Sequence, residues 1–96
     1  MTDSELIIKL KEVFNRVFKD DSITINENTS ASDIEQWDSL THPILIDEVE
    51  NEFKVKFKLK ELIRMQNVGD LIKIIKEKFW VLLYMNFFNK DFIFLI

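Results

Sequence analysis

Cysteine is absent, and glycine, proline and histidine occur once each in 96 residues. The missing cysteine excludes a disulfide framework, and with a single histidine it also removes the ligand set of a zinc site. Turn-rich β sandwiches need Gly, Pro and Asn at many tight corners, which this composition does not supply. A glycine-rich loop that cradles phosphate is excluded as well, since Gly69 stands alone. Asp20, Asp21, Asn26 and Glu27 invite comparison with a Ca²⁺-binding EF-hand, but the glycine at the sixth loop position and the terminal Glu are both missing. An excess of positive charge is lacking too: 13 basic against 17 acidic residues leave a net charge of -4. That balance argues against a nucleic-acid binder and favours basic partners. The N-terminus, MTDSELIIKLKE, lacks the basic and apolar regions of a signal peptide, and together with the absent cysteine it fits a cytoplasmic protein.

What remains is a chain with 47% hydrophobic and 31% charged residues, the balance of a folded domain rather than a disordered one. Residues 1–18 read as an amphipathic helix, because Leu6, Leu10, Val13 and Val17, with Ile7, Phe14 and Phe18, share one broad stripe. Thr2 and Glu5 have capping-box spacing at its start. From Lys19 to Trp37 the periodicity disappears into Asp, Ser, Thr, Asn and Glu, with Ile23, Ile25, Ala31, Ile34 and Trp37 as the apolar pins of a long loop. Loops of that length inside a small domain are uncommon and usually functional.

A second helix is expected from Asp38 or Ser39, both good N-caps, with Leu45, Ile46, Val49 and Phe53 on its buried face. Pro43 falls four or five residues inside, deep enough to tilt the first turn. Residues 53–58, FKVKFK, alternate like a strand but have no partner, so they read as an extended connector that tucks Val55 and Phe57 inward. Leu59 to Met65 gives a short third helix offering Leu62, Ile63 and Met65 to the core. Asn67 can cap a fourth, with Asp70 at its third position and Leu71, Ile72, Ile75 and Phe79 along its buried face. The expected fold is all-α: a four-helix bundle with a long loop between helices 1 and 2, residues 1–78 as one domain, and residues 79–96 as an apolar extension.

Ser39 and His42 lie three apart, so on a helix they could face each other as nucleophile and base of a small serine hydrolase. No glycine-rich elbow surrounds the serine, and no donor pair for an oxyanion is evident. N-cap duty for Ser39 and a partly exposed position for His42 is the plainer reading.

Trp37-Asp38-Ser39-Leu40, following a long polar loop and opening a helix that runs to Glu50-Asn51-Glu52-Phe53, resembles the acyl carrier protein family. Asp38-Ser39-Leu40 matches the family's Asp-Ser-Leu, and the Trp before it with Thr-His after it is similar to stand-alone carriers of bacterial biosynthetic operons. Asn67-Val68-Gly69-Asp70-Leu71 corresponds to the family's capped last helix. The resemblance covers roughly residues 3–78 and implies that the protein is not an enzyme. It implies 4'-phosphopantetheine on Ser39, transferred from coenzyme A by a separate phosphopantetheinyl transferase, with Asp38 capping the helix and Leu40 packing locally and meeting partners. The helix N-terminus would then offer amides to the phosphodiester. A thioester on the arm would hold an acyl or aminoacyl group supplied by a loading ligase or synthase. Asp47, Glu48 and Glu50, with Glu52, would dock basic partner surfaces. Two features depart from the family pattern: Pro43 where an ordinary helix former is usual, and the basic stretch Lys54, Lys56, Lys58 and Lys60. If Pro43 or the tail hid the serine, the chain would instead be an unmodified interaction module.

Fourteen of the eighteen residues from Phe79 to Ile96 are apolar. A membrane-spanning helix needs about 20 apolar residues, and this stretch is shorter and broken by Asn86, Asn89, Lys90 and Asp91. Such a surface is not left bare. Folding back on its own domain, self-association through residues 79–96, and contact with a membrane interface are the coverings available, and self-association is favoured over membrane contact because the extension has no basic face. Its Phe, Ile, Asn and Lys content also fits translated AT-rich DNA with no selected role.

Overall fold

A computed structural model describes the backbone of residues 1–95 and the side chains of residues 1–81. Four helices follow one another: α1 (Asp3–Phe18), α2 (His42–Phe53), α3 (Leu59–Arg64) and α4 (Val68–Leu95). A one-turn 3-10 helix, Ala31–Asp33, lies within the long loop between α1 and α2. Among the described residues there is no strand.

α1 begins where its chemistry places it. Thr2 Oγ1 accepts from the Glu5 amide and Glu5 Oε1 accepts from the Thr2 amide, a reciprocal capping box that satisfies two otherwise orphaned donors. Leu6, Leu10, Val13, Phe14 and Phe18 are buried on its inner face, while Ile7 and Val17 pack at the margin. They meet Leu45, Val49 and Phe53 of α2 and Leu71, Ile72 and Ile75 of α4 in one core. The connector after α2 is extended, with Val55 buried and Phe57 partly buried against the same core. Ile63 departs from expectation. It is 71% exposed, and α3 ends at Arg64 rather than Met65.

α3 is fastened by charge instead. Glu61, itself buried, accepts from the Lys58 amide at 2.7 Å and from Lys78 Nζ of α4 at 2.7 Å. A carboxylate can be buried here because both partners reach it.

The long loop is held at both ends by backbone and side-chain bonds. Asn15 of α1 donates through Nδ2 to the carbonyls of Asp20 and Ile23. Farther on, the Val68 amide donates to the Thr29 carbonyl and the Gly69 amide to the Glu27 carbonyl, both at 2.8 Å. The loop thereby takes two of the free amides at the start of α4, and Asn67 Oδ1 takes a third, that of Asp70. Ile23, Ile34 and Trp37 are buried, whereas Ala31, expected to pin the loop, is exposed.

α4 runs from Val68 to Leu95. Phe79, expected on the buried face of the fourth helix although it also opens the extension, packs against the core and lies 6.2 Å from Phe53 between ring centroids. Trp80 and Val81 are exposed. The expectation of self-association rests on the extension, and the side chains of residues 82–96 lie outside the described residues. No helix among the described residues is long and apolar enough to cross a membrane.

Candidate functional site

Asp38 to Thr41 form a turn that precedes α2 rather than its first residues. The His42 amide donates to the Asp38 carbonyl at 2.9 Å, the spacing of one α-helical turn. The ladder is then interrupted, because Pro43 has no amide to give the Ser39 carbonyl and its ring crowds the residue four before it, and it resumes where the Leu45 amide donates to the Thr41 carbonyl at 2.9 Å. Regular helix begins at His42, with Pro43 in the first turn where its missing donor is tolerated. The sequence expectation of a start at Asp38 or Ser39 is therefore corrected by three to four residues, and the single proline is the reason.

Asp38 caps this turn. Its Oδ1 accepts from the amides of Leu40 and Thr41, both at 2.9 Å, while its own amide donates to Thr41 Oγ1 at 2.9 Å. Thr41 thus plays the reciprocal part that Glu or Gln plays in an ordinary capping box. Its hydroxyl also donates to the Gln36 carbonyl at 2.7 Å, tying the turn to the loop before it. The Thr41 amide, then the Leu40 amide, hold the Asp38 carboxyl below its usual range. These two amides are thus occupied by Asp38 and are not offered to a phosphodiester.

Ser39 is exposed, and no hydrogen bond among the described residues engages its hydroxyl. Leu40 beside it is 81% exposed and Ile44, one helical turn on, is 56% exposed, so an apolar strip flanks the serine. Ser39 also borders a groove of about 410 Å³ shared with Trp37, Asp38, His42, Met65 and Gln66. Trp37 is the floor. It is 5% exposed, meets Phe14 edge-on at 5.2 Å and 88°, and donates from Nε1 to His42 Nδ1 at 2.9 Å.

The acidic residues of α2 are not equivalent. Asp47 is exposed, Glu48 pairs with Arg16 of α1 at 3.2 Å, and Glu50 Oε2 accepts from the Phe57 amide at 2.8 Å. Glu50 is thus tied to the connector after α2. Among the described residues no group of three or more His, Cys, Asp or Glu side chains could hold a metal ion.

The chain is similar to the solution NMR structure of the holo acyl carrier protein from Geobacter metallireducens: the TM-score is 0.76, the sequences are 44% identical, and the match covers 81% of this chain and 90% of that one. The chain belongs to the acyl carrier protein family. No protein-family model matches it, and no curated protein does. Membership makes it a carrier rather than an enzyme. The geometry around the carrier's serine agrees, because an indole N–H can only donate, so His42 Nδ1 is committed as an acceptor and the neutral ring carries its proton on Nε2. No lone pair is then left to take a proton from Ser39, and the hydrolase reading is set aside.

Thr41 and Gln66 were not singled out from sequence, and Met65 was expected in the core rather than along this groove. Asp38-x-x-Thr41 has capping-box spacing and was legible. Met65 and Gln66 arrive from the α3–α4 connector, which no local pattern reveals.

Proposed function

We propose that this carrier bears 4'-phosphopantetheine on Ser39 and presents acyl or aminoacyl intermediates to partner enzymes in cytoplasmic biosynthesis. The observation that carries the reading is the uncommitted, exposed hydroxyl of Ser39, held at the crest of a capped turn in a member of this family. In the loading reaction, on a separate phosphopantetheinyl transferase, the Ser39 oxygen gives up its proton and attacks the coenzyme A phosphorus that carries pantetheine, forming the phosphodiester as the phosphoanhydride bond breaks and adenosine 3',5'-bisphosphate leaves. When attached, the group supplies the thiol that holds acyl groups as thioesters.

This chain's own residues present and steer. Asp38 keeps the turn closed and adds a negative charge beside the serine. The groove beside Ser39, with Trp37, Met65 and Gln66 among its lining, leaves room for a covalent addition without displacing a core residue. Leu40 and Ile44 give partners an apolar strip, and Asp47 and Glu48 give them charge, which acts mainly on encounter rate. Glu50 contributes less to docking than its neighbours, because one of its oxygens is tied to Phe57. Incubation with coenzyme A, Mg²⁺ and a broad-specificity transferase, followed by intact mass measurement, tests the attachment. An unmodified interaction module is the reading left if no mass is gained.

A further inference from the structure

We infer that the neutral imidazole of His42 is a positioning group for Ser39, clamping the serine's turn to the buried indole of Trp37, and that protonating His42 releases the turn and slows attachment. The inference rests on Ser39 being the attachment site. Pro43 removes the one bond that the Ser39 carbonyl would accept, so the backbone joins the turn to α2 only through the Asp38 and Thr41 carbonyls, which accept from the His42 and Leu45 amides at 2.9 Å, and a side-chain clamp adds to that hold. Asp38 and Thr41 close the turn on itself and onto the Gln36 carbonyl, but neither side chain is buried. His42 joins it to the core: its ring lies nearly coplanar with Trp37, edge to edge through the Trp37–His42 hydrogen bond, with centroids 6.0 Å apart and planes 18° from parallel, and Trp37 in turn packs edge-on against Phe14 of α1.

The bond from Trp37 Nε1 to His42 Nδ1 exists only for the neutral imidazole, since the protonated ring carries hydrogens on both nitrogens and turns the contact into donor against donor. Among the described residues that share the groove with His42, Asp38 is the ionisable one; Ala31 from the loop and Met65 and Gln66 from the α3–α4 connector carry no charge. The Asp38 carboxyl, held low by the Thr41 and Leu40 amides, is already ionised throughout the range in which an imidazole titrates. Burial of the His42 ring also favours its neutral form.

The test has two readouts on the full chain. The first follows the Trp37 indole N–H by NMR against pH in unmodified protein, with Trp80→Phe to assign the two indoles. Its resonance moves through the His42 titration, and it does not in His42→Asn, whose Oδ1 offers an untitratable acceptor in place of Nδ1. The second is the attachment rate of the unsubstituted carrier divided by that of His42→Asn at each pH, a ratio in which the transferase's own titration cancels. The ratio falls as pH is lowered through the His42 titration that the first readout locates, by about fivefold once the ring is protonated, the effect of losing one hydrogen bond of ordinary strength. Trp37→Phe keeps an aromatic ring against Phe14, removes the donor and serves if His42→Asn does not fold; its rate replaces that of His42→Asn in the ratio, which falls the same way. A pH-independent ratio, or an indole resonance indifferent to His42, overturns the inference. Failure of the unsubstituted carrier to gain phosphopantetheine at any pH overturns the attachment reading instead, and the indole titration still decides whether the clamp exists.

Discussion

Pro43 stands four residues beyond Ser39, so the amide that would donate to the Ser39 carbonyl in a continuous helix is missing, and regular α2 starts at His42. The serine consequently sits on a capped turn in front of the helix. This relationship separates the local chemistry of presentation from the packing of α2, whose buried residues begin at Leu45.

Pro43→Ala supplies the missing amide. The new bond is worth about 0.5–1.5 kcal/mol, while the unfolded chain regains freedom worth about 0.4–1 kcal/mol, so the two effects nearly cancel in stability. Amide hydrogen exchange is the sharper readout. In the variant the amide introduced at position 43 is protected and α2 extends toward Ser39. Exchange of that amide at the rate of unstructured chain would show that something other than the proline makes the helix start late.

Gly69→Ala strains the latch between loop and α4. A Cβ at that position lies 2.9 Å from the Glu27 carbonyl oxygen, the same atom that accepts from the Gly69 amide at 2.8 Å. Backbone on the loop side must shift, which costs about 1–3 kcal/mol and outweighs a helix-propensity gain of up to about 1 kcal/mol. The urea midpoint falls; a midpoint that rises shows that the latch is loose.

Acidification lowers stability in two stages. Burial depresses the folded His42 pKa below 6.5, so as pH falls past that value the unfolded chain takes up the proton first and the folded state loses ground. The second stage belongs to carboxyls. Burial alone would raise Glu61, but the hydrogen bond from Lys78 and the Lys58 amide bring it below its usual 4.5, and the Asp38 carboxyl lies below 3.8 because of the Thr41 and Leu40 amides. Their contribution is complete above those values and is lost as pH falls through the folded ones. Urea midpoints against pH check this: His42→Asn removes the stage that begins near 6.5 and leaves the lower one, whereas stability that grows on acidification contradicts both assignments.

Charge reversal at Asp47 and Glu48 tests docking. Asp47→Lys with Glu48→Lys slows transferase and partner association most at low salt, where exposed charges are least screened. Kinetics unchanged at low salt remove these residues from the docking surface.

Much of the bundle was legible because its signals are local. The Thr2–Glu5 box, the α1 stripe and the Asn67 cap each depend on residues three or four apart, and all three stand in the structure. The start of α2 was misread because a proline's effect depends on register: the same residue that is harmless in the first turn forbids a helix beginning four residues before it. Trp37 and His42 are five apart across a turn, a spacing that belongs to no helical face. The bonds from Val68 and Gly69 to the loop, and the buried pair of Glu61 with Lys78, join residues far apart in sequence, and no periodicity points to them. Met65 and Gln66 reach the groove for the same reason.

The attachment of 4'-phosphopantetheine is tested most directly by intact mass after incubation with coenzyme A, Mg²⁺ and a broad-specificity phosphopantetheinyl transferase. The unsubstituted carrier is expected to gain a single phosphopantetheine and Ser39→Ala to gain none. No gain on the unsubstituted carrier, or an equal gain on Ser39→Ala, would refute attachment at this serine.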